Sequence, residues 1–263
     1  MADAPATALH PADELGYVRA ELASCVSRQR LLSIREEALT TGLVADREAR
    51  VGALHHAVVS RVRGRDVVDV ERLPDLQRVL LLLQGPVVVA DTETTGLHVL
   101  EGDRLITAAF LRVHPDAVSE TPLEIIVNPG RASSPEAAAV HGLTEADLRD
   151  RAPFSYSHAR AIIDVCRGGT FVAHNAPFDV GFLDAEFETT GLYFTGVPSD
   201  VVDTRIVSKL LWPGESGSLD ALATRLGVDR GGRDVRHTAL GDARLLAACL
   251  PGLRDALRRW IAR

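Results

Sequence analysis

Val87-Val88-Val89-Ala90-Asp91-Thr92-Glu93 joins a run of four apolar residues to two carboxylates spaced two apart. A short continuous apolar run suits a strand covered on both faces. Side chains two apart on a strand share a face. Asp91 and Glu93 therefore point the same way from a rigid support, which lets two carboxylates share one hard divalent cation. An Asp-x-Glu pair standing alone is more often a solvated strand end, so this reading needs partners elsewhere in the chain.

Outward from this strand the pattern is mixed. Leu105 to Val113 and Leu123 to Val127 are further β-rich runs, and three strands in succession predict an antiparallel start. Ser134-Pro135-Glu136 supplies an N-cap, a proline in the first helical position and a first-turn acid, opening a helix toward Val140. Phe154 to Cys166 reads as a second helix closed by Gly168-Gly169, Thr170 to Ala173 as a strand, and about Pro177 to Phe187 as a helix. Val201-Val202 suits a short strand. Ser218 caps a helix with Leu219, Leu222 and Leu226 on one face before Gly227 stops it, and His237 leads into a last helix through Leu250.

Upstream the pattern changes at Gly85-Pro86. Leu15, Val18, Leu22 and Val26 keep helical spacing, as do Val51, Leu54, Val58 and Val62, and Leu76 to Leu83 is a third apolar stretch. The chain thus divides into a helical N-terminal extension, residues 1–85, and an α/β domain, residues 86–263. The extension holds eleven Arg against twelve Asp plus Glu. That near neutrality argues against a basic nucleic-acid arm and favours a packing or protein-partner role.

Two further segments can complete the carboxylate pair. In His174-Asn175-Ala176-Pro177-Phe178-Asp179 a strand gives way to a helix, with Asn175 placed to cap and Asp179 in the first turn. There the helix dipole alone would favour a carboxylate. In His237-Thr238-Ala239-Leu240-Gly241-Asp242, five residues along a regular helix would not superpose His237 and Asp242. Placing His237 on the preceding loop removes the difficulty and lets it approach a water. Taken singly, each has a bland alternative: a first-turn acid, or a capping histidine.

Composition bounds the rest. Hydrophobic residues make up 46% and charged residues 25%, as in an ordinary globular chain. The three cysteines, Cys25, Cys166 and Cys249, are far apart and show neither a disulfide framework nor zinc-ligand spacing, which points to a reducing cytoplasm. Met1 to Pro11 has no basic segment followed by an apolar core, and no apolar run approaches bilayer-spanning length, so no membrane association is expected. The net charge of -7 argues against coating long duplexes. It is compatible with an enzyme holding a few nucleotides at a cation-filled pocket.

Taken together and in order, the three motifs resemble those of the DEDDh 3′ to 5′ exonucleases, the family of the proofreading epsilon subunit of bacterial DNA polymerase III. The first is Asp91-Thr92-Glu93-Thr94-Thr95-Gly96-Leu97, the second ends in Asp179, and the third runs from His237 to Asp242. Asp103-Arg104, Val127-Asn128-Pro129-Gly130 and His141-Gly142-Leu143-Thr144 extend the likeness, which covers about residues 86–250. The resemblance implies a ribonuclease H-like fold, a mixed sheet flanked by helices. It implies two divalent cations, Mg²⁺ or Mn²⁺, with Asp91, Glu93 and Asp242 at the main site, Asp91 bridging to the second, and Asp179 acting through water. His237 becomes the general base, and the products are nucleoside 5′-monophosphates. Thr94, Thr95, Gly96 and Leu97 would hold the terminal sugar and base, with His141, Asn175 and Phe178 nearby.

The expected substrate is a single-stranded or frayed 3′ end, DNA before RNA, because Thr94-Thr95-Gly96-Leu97 is closer to the epsilon-like pattern than to that of the oligoribonucleases. A ribonuclease of that branch, or a binding scaffold that no longer cuts, are the alternatives. The presence of all five catalytic residues opposes the scaffold. The epsilon subunit carries a C-terminal tail for its polymerase, whereas this sequence stops at Arg263. The expectation is an exonuclease of repair or nucleic-acid turnover, alone or with a partner bound through residues 1–85.

Overall fold

The structure is a computed structural model that describes residues 55–62, 65–72, 75–114, 117–118, 121–230 and 237–262. Two compact units divide the chain, one ending at Pro74 and the other running from Asp75 to Arg263. In the first, strands β1 (His55–Val62) and β2 (Arg65–Arg72) pair antiparallel, with Val62 opposite Arg65 and His55 opposite Arg72. Only Arg63-Gly64 separates them, the length of a tight hairpin connection. The helix expected through Val58 and Val62 is therefore corrected to a strand. Val58-Val59 and Val67-Val68 set β-branched residues side by side, and their stiff χ1 favours extended backbone. The helix expected over Leu15 to Val26 lies outside the described residues.

The second unit begins with helix α1 (Leu76–Gln84), whose N-cap Asp75 accepts hydrogen bonds from the backbone N–H groups of Gln77 and Arg78 at 2.9 and 3.3 Å. Leu76, Val79 and Leu83 repeat at helical spacing and bury one face. They join the apolar cluster formed by Val87, Val89 and the C-terminal helix. The helix read from the sequence as part of the extension therefore packs within the sheet-bearing unit.

The sheet comprises β3 (Val87–Thr94), β4 (Leu105–His114), β5 (Ala117–Val118), β6 (Leu123–Ile126), β7 (Thr170–Ala173) and β8 (Val201–Asp203). Its order is β5-β4-β3-β7-β8, with β6 also paired to β4. Strand β3 runs antiparallel to β4 and parallel to β7, and β7 parallel to β8. The antiparallel start read from the sequence is thus present, and the sheet is mixed. Val87 and Val89 enter one apolar cluster, while Val88 and Ala90 enter a second on the opposite face. That alternation is the period of two expected of a strand covered on both sides.

The remaining helices are α2 (Pro135–His141), α3 (Glu145–Leu148), α4 (Tyr156–Cys166), α5 (Ala176–Glu188), α6 (Thr204–Leu211), α7 (Leu219–Leu226) and α8 (Ala239–Ile261). Helices α4 and α5 cover the Val88 face, and α1, α7 and α8 cover the Val87 face. Helix α8 continues eleven residues beyond Leu250 in spite of Pro251. Leu246, Leu250, Leu253 and Leu257 form one buried stripe across that proline, and their packing outweighs the lost backbone N–H. Among the described residues no helix is long and apolar enough to cross a membrane.

Leu83 is 1% exposed. Leu83→Ala should cost about 2–5 kcal/mol. In a unit of this size that lowers the thermal midpoint by at least roughly 4 °C. Calorimetry on the full chain reads the effect, and an unchanged midpoint would detach α1 from the core.

Candidate active site

Where the apolar run of β3 ends, its alternation sorts the next residues to opposite faces. Asp91 and Glu93 continue the Val87-Val89 side and meet Asp242, in the first turn of α8. One carboxylate oxygen from each of the three lies within 4.8 Å of the others. The pairing of β3 with β4 shifts register between Glu93 and Thr94. Such bulges commonly sit beside active sites, where they re-aim a side chain. Thr238 caps α8, its hydroxyl accepting from the Gly241 N–H at 3.1 Å. A Cβ at position 241 would lie 2.8 Å from that hydroxyl oxygen, so the approach is close. Glu93 and Asp242 are buried, and three like charges held this close are costly unless a cation lies among them. The donor set, all hard oxygens, fits Mg²⁺ or Mn²⁺.

On the other face, the Thr92 hydroxyl donates to Asp179 Oδ1 at 2.8 Å. Asp179 is 3% exposed, and burial pushes its pKa up to about 7. The Thr92 hydrogen bond opposes that shift, and the charge of Asp203 adds to it. Asp179 still reaches the cleft that Asp91, Glu93 and Asp242 line.

His237 precedes the cap residue Thr238, on the loop as the spacing required. Its backbone N–H donates to the Val140 carbonyl at 3.3 Å, and its Nδ1 lies 3.2 Å from Asp242 Oδ2. An ionised carboxylate can only accept, so the proton belongs on Nδ1 and Nε2 becomes the proton-accepting nitrogen.

Thr94, Gly96, Leu97, His141, Asn175 and Phe178 line the same cleft, whose volume is about 230 Å³. Thr95 does not: it is fully buried, donating its hydroxyl to Asp103 Oδ1 at 3.0 Å. The Asp103 carboxylate also accepts from the His98 N–H and pairs with Arg131. It sits so close to Gly96 that any Cβ there would overlap it. His141 is buried, its Nδ1 accepting from the Leu143 N–H at 3.0 Å. Burial lowers its pKa, and among the described residues its Nε2 has no hydrogen-bond partner. Phe178 rests on Phe182 at a centroid distance of 4.8 Å.

Asn175 corrects one expectation. Its side chain does not cap α5: the backbone is left-handed, with φ of 88°. The amide oxygen accepts from Arg205 Nη1 at 3.1 Å, while the backbone N–H donates to Asp203 Oδ1 at 3.1 Å. Sequence reasoning missed Asp203, Arg205, His174 and the pair formed by Arg104 and Glu186. The Arg104 guanidinium grips both Glu186 oxygens at 2.7 Å, tying the start of β4 to the helix that carries Asp179. That bond is the main cause of the raised Arg104 pKa. Glu186 falls seven residues after Asp179, two helical turns on, and this was the available signal.

A family model described as Exonuclease (RNase_T) matches residues 88–250, and the chain belongs to that family. The DEDDh resemblance read from the motifs is borne out. Relatives include the DNA polymerase III epsilon subunit of Pasteurella multocida, 38% identical over 165 residues, 61% of this chain and 64% of that one. The Escherichia coli epsilon subunit is 35% identical over 166 residues, 61% of this chain and 68% of its own. The chain therefore spans about two thirds of the length of the curated relatives it matches, and slightly less for the first. Two solved structures share the fold. Escherichia coli ExoI in a zinc-bound complex with single-stranded DNA has a TM-score of 0.56 at 18% identity, covering 68% of this chain and 43% of that one. The nuclease domain of 3′hExo, a DEDDh family member bound to rAMP, has 0.54 at 15%, covering 65% and 93%. The sheet and its two helical layers are the ribonuclease H-like arrangement that the sequence implied.

The raised pKa of Asp179 makes a prediction for protein stripped of divalent cations. Because folding favours its protonated form, its contribution to stability is full below the unfolded pKa, near 4. It is lost as pH rises through about 7. In EDTA, Asp179→Asn should therefore raise the thermal midpoint at pH 8, by roughly 3 °C or more, and by less at pH 5. A gap that shrinks as pH rises would show that Asp179 is not charged at a cost.

Proposed function

We propose that this chain is a metal-dependent 3′ to 5′ exonuclease that releases nucleoside 5′-monophosphates from a single-stranded or frayed DNA end. The observation that carries it is the meeting of Asp91 and Glu93 from β3 with Asp242 from α8, their oxygens within 4.8 Å, with His237 against Asp242. In this reading Asp91, Glu93 and Asp242 would hold the main cation, Asp91 would also serve a second, and Asp179 would assist. When bound, Mg²⁺ or Mn²⁺ acidifies the attacking water and stabilises the entering and departing oxygens of an in-line displacement. Asp242 orients His237 through Nδ1, leaving Nε2 to take the proton of the water. Thr94, Gly96 and Leu97 form the rim on which the terminal nucleotide rests, and Phe178 offers it an apolar wall. The buried Nε2–H of His141 supplies a donor for one of its oxygens.

DNA is proposed as the substrate because the relatives at 35–38% identity are named subunits of DNA polymerase III. The N-terminal extension, residues 1–85 in the sequence reading, is proposed as a partner-binding segment, and the cytoplasm as the location. End-labelled single-stranded DNA, mismatched duplex and RNA, each with Mg²⁺, Mn²⁺ or EDTA, test the whole reading. Stepwise loss of 5′-monophosphates from the 3′ end of DNA with either cation is expected, and none in EDTA. Preferential RNA cleavage would move the enzyme to the ribonuclease branch, and activity in EDTA would refute the metal mechanism.

The roles of His237 and Asp242 separate in single-turnover measurements. His237→Ala should slow cleavage by about a hundredfold to ten-thousandfold, the usual worth of a general base, with little change in Mn²⁺ affinity. Asp242→Asn should slow it and also weaken Mn²⁺ binding in a titration. An unchanged rate in His237→Ala would reduce that histidine to a loop residue.

A further inference from the structure

Several arginines of this unit are spent on carboxylates. Arg104 is held by Glu186, Arg131 by Asp103 and Arg78 by Asp200. Arg205 differs. Among the described residues no carboxylate pairs with its guanidinium, whose hydrogen bond goes from Nη1 to the neutral Asn175 Oδ1 at 3.1 Å. The nearby Asp203 is committed elsewhere, its Oδ1 accepting the backbone N–H groups of Asn175, Arg205 and Ile206.

This bond settles which way the Asn175 amide faces. A guanidinium only donates, so the amide oxygen must point to Arg205. The amide NH₂ is then the opposite corner, on a residue that lines the cleft. Asn175 also carries the one positive φ among the described non-glycine residues. Its hydrogen bonds to Asp203 and Arg205 help hold that conformation. The result is a half-buried cation with no carboxylate partner among the described residues, coupled to an oriented amide donor on the wall of a cleft whose acidic lining residues are Asp91, Glu93, Asp179 and Asp242.

We infer that Arg205 and Asn175 form a phosphate-binding pair for the nucleic-acid strand, gripping a backbone phosphate other than the one being cleaved. The inference rests on the exonuclease reading above. In that reading the scissile phosphate is served by the carboxylates and their cations, which leaves the Arg205 charge for a neighbouring phosphodiester. A guanidinium fork and an amide NH₂ match two non-bridging oxygens in geometry and charge. The pair would give an acidic protein a local hold on its substrate without a basic face.

The test compares two substrates on the full chain with Mn²⁺. One is a single-stranded DNA 10-mer; the other is the p-nitrophenyl ester of thymidine 5′-monophosphate, whose only phosphate is the scissile one. Arg205→Gln should raise KM for the 10-mer about tenfold or more, as for a lost charge-assisted hydrogen bond. It should leave kcat/KM for the ester within about twofold. The slope of log KM against log salt for the 10-mer should fall in magnitude by about one ion. Arg205→Lys should recover the salt slope while recovering KM only in part. Equal losses on both substrates would show that Arg205 merely supports the catalytic centre, and no loss on the 10-mer would remove it from substrate binding. Failure of the unsubstituted chain to cleave either substrate would refute the exonuclease reading itself.

Discussion

Strand β3 is covered by apolar layers on both faces, and the placement of the carboxylates it carries depends on that. Val87 and Val89 cannot leave the α8 side, nor Val88 and Ala90 the α5 side, without exposing several fully buried side chains. Because the backbone is thereby locked in register, the next residues along the strand inherit their directions. Asp91 and Glu93 emerge toward α8, where Asp242 waits, and Thr92 emerges toward α5, where its hydroxyl meets Asp179. Hydrophobic packing thus supplies the precision that a cluster of mutually repelling carboxylates could not supply for itself.

Around that strand, polar contacts hold the elements that must stay in step. The Glu186 carboxylate, 1% exposed, is gripped by Arg104 and also accepts the Leu105 N–H at 3.3 Å, fastening β4 to α5. An ion pair with one buried partner is a weak source of net stability, because desolvation of that partner offsets much of the attraction. Its value here is positional, since α5 carries Asp179 at one end and Glu186 two turns on. His174 serves a similar end: its Nε2 meets the Gly217 carbonyl at 2.8 Å and its Nδ1 the Thr204 hydroxyl at 3.0 Å, bracing the turn from β7 into α5.

Much of this was legible in the sequence because it is written locally. The Ser134-Pro135 start of α2, the Gly227 stop of α7, and the apolar run of β3 each depend on neighbours within a few residues. The five catalytic candidates were legible through motif order. The features that stayed hidden depend on partners distant in sequence. Arg104 and Glu186 stand 82 residues apart, and nothing near either one announces the other. Asn175 has the residue type of a helix cap, but Asp203 and Arg205, about thirty positions on, claim its N–H and its amide oxygen. Over residues 55–62 a helical repeat of Val58 and Val62 coincided with β-branched doublets, and pairing with β2 decided the outcome. The helix through Leu76, Val79 and Leu83 was recognised, but its attachment to the sheet was not, because a periodicity tells which face is buried without telling against what.

The strict alternation of β3 has a consequence for how this chain can change over evolutionary time. Substitutions among Val87, Val88, Val89 and Ala90 alter packing by degrees, yet leave the directions of later residues intact. Loss or gain of a single codon within those four does something different. The strand would keep one apolar layer in place only by turning over its C-terminal end, presenting the hydroxyls of Thr92 and Thr94 where the carboxylates of Asp91 and Glu93 now stand. Length in this segment is therefore under tighter constraint than residue identity, and drift in the lineage should show as interchange of aliphatic residues, with insertions and deletions confined to the connections between elements.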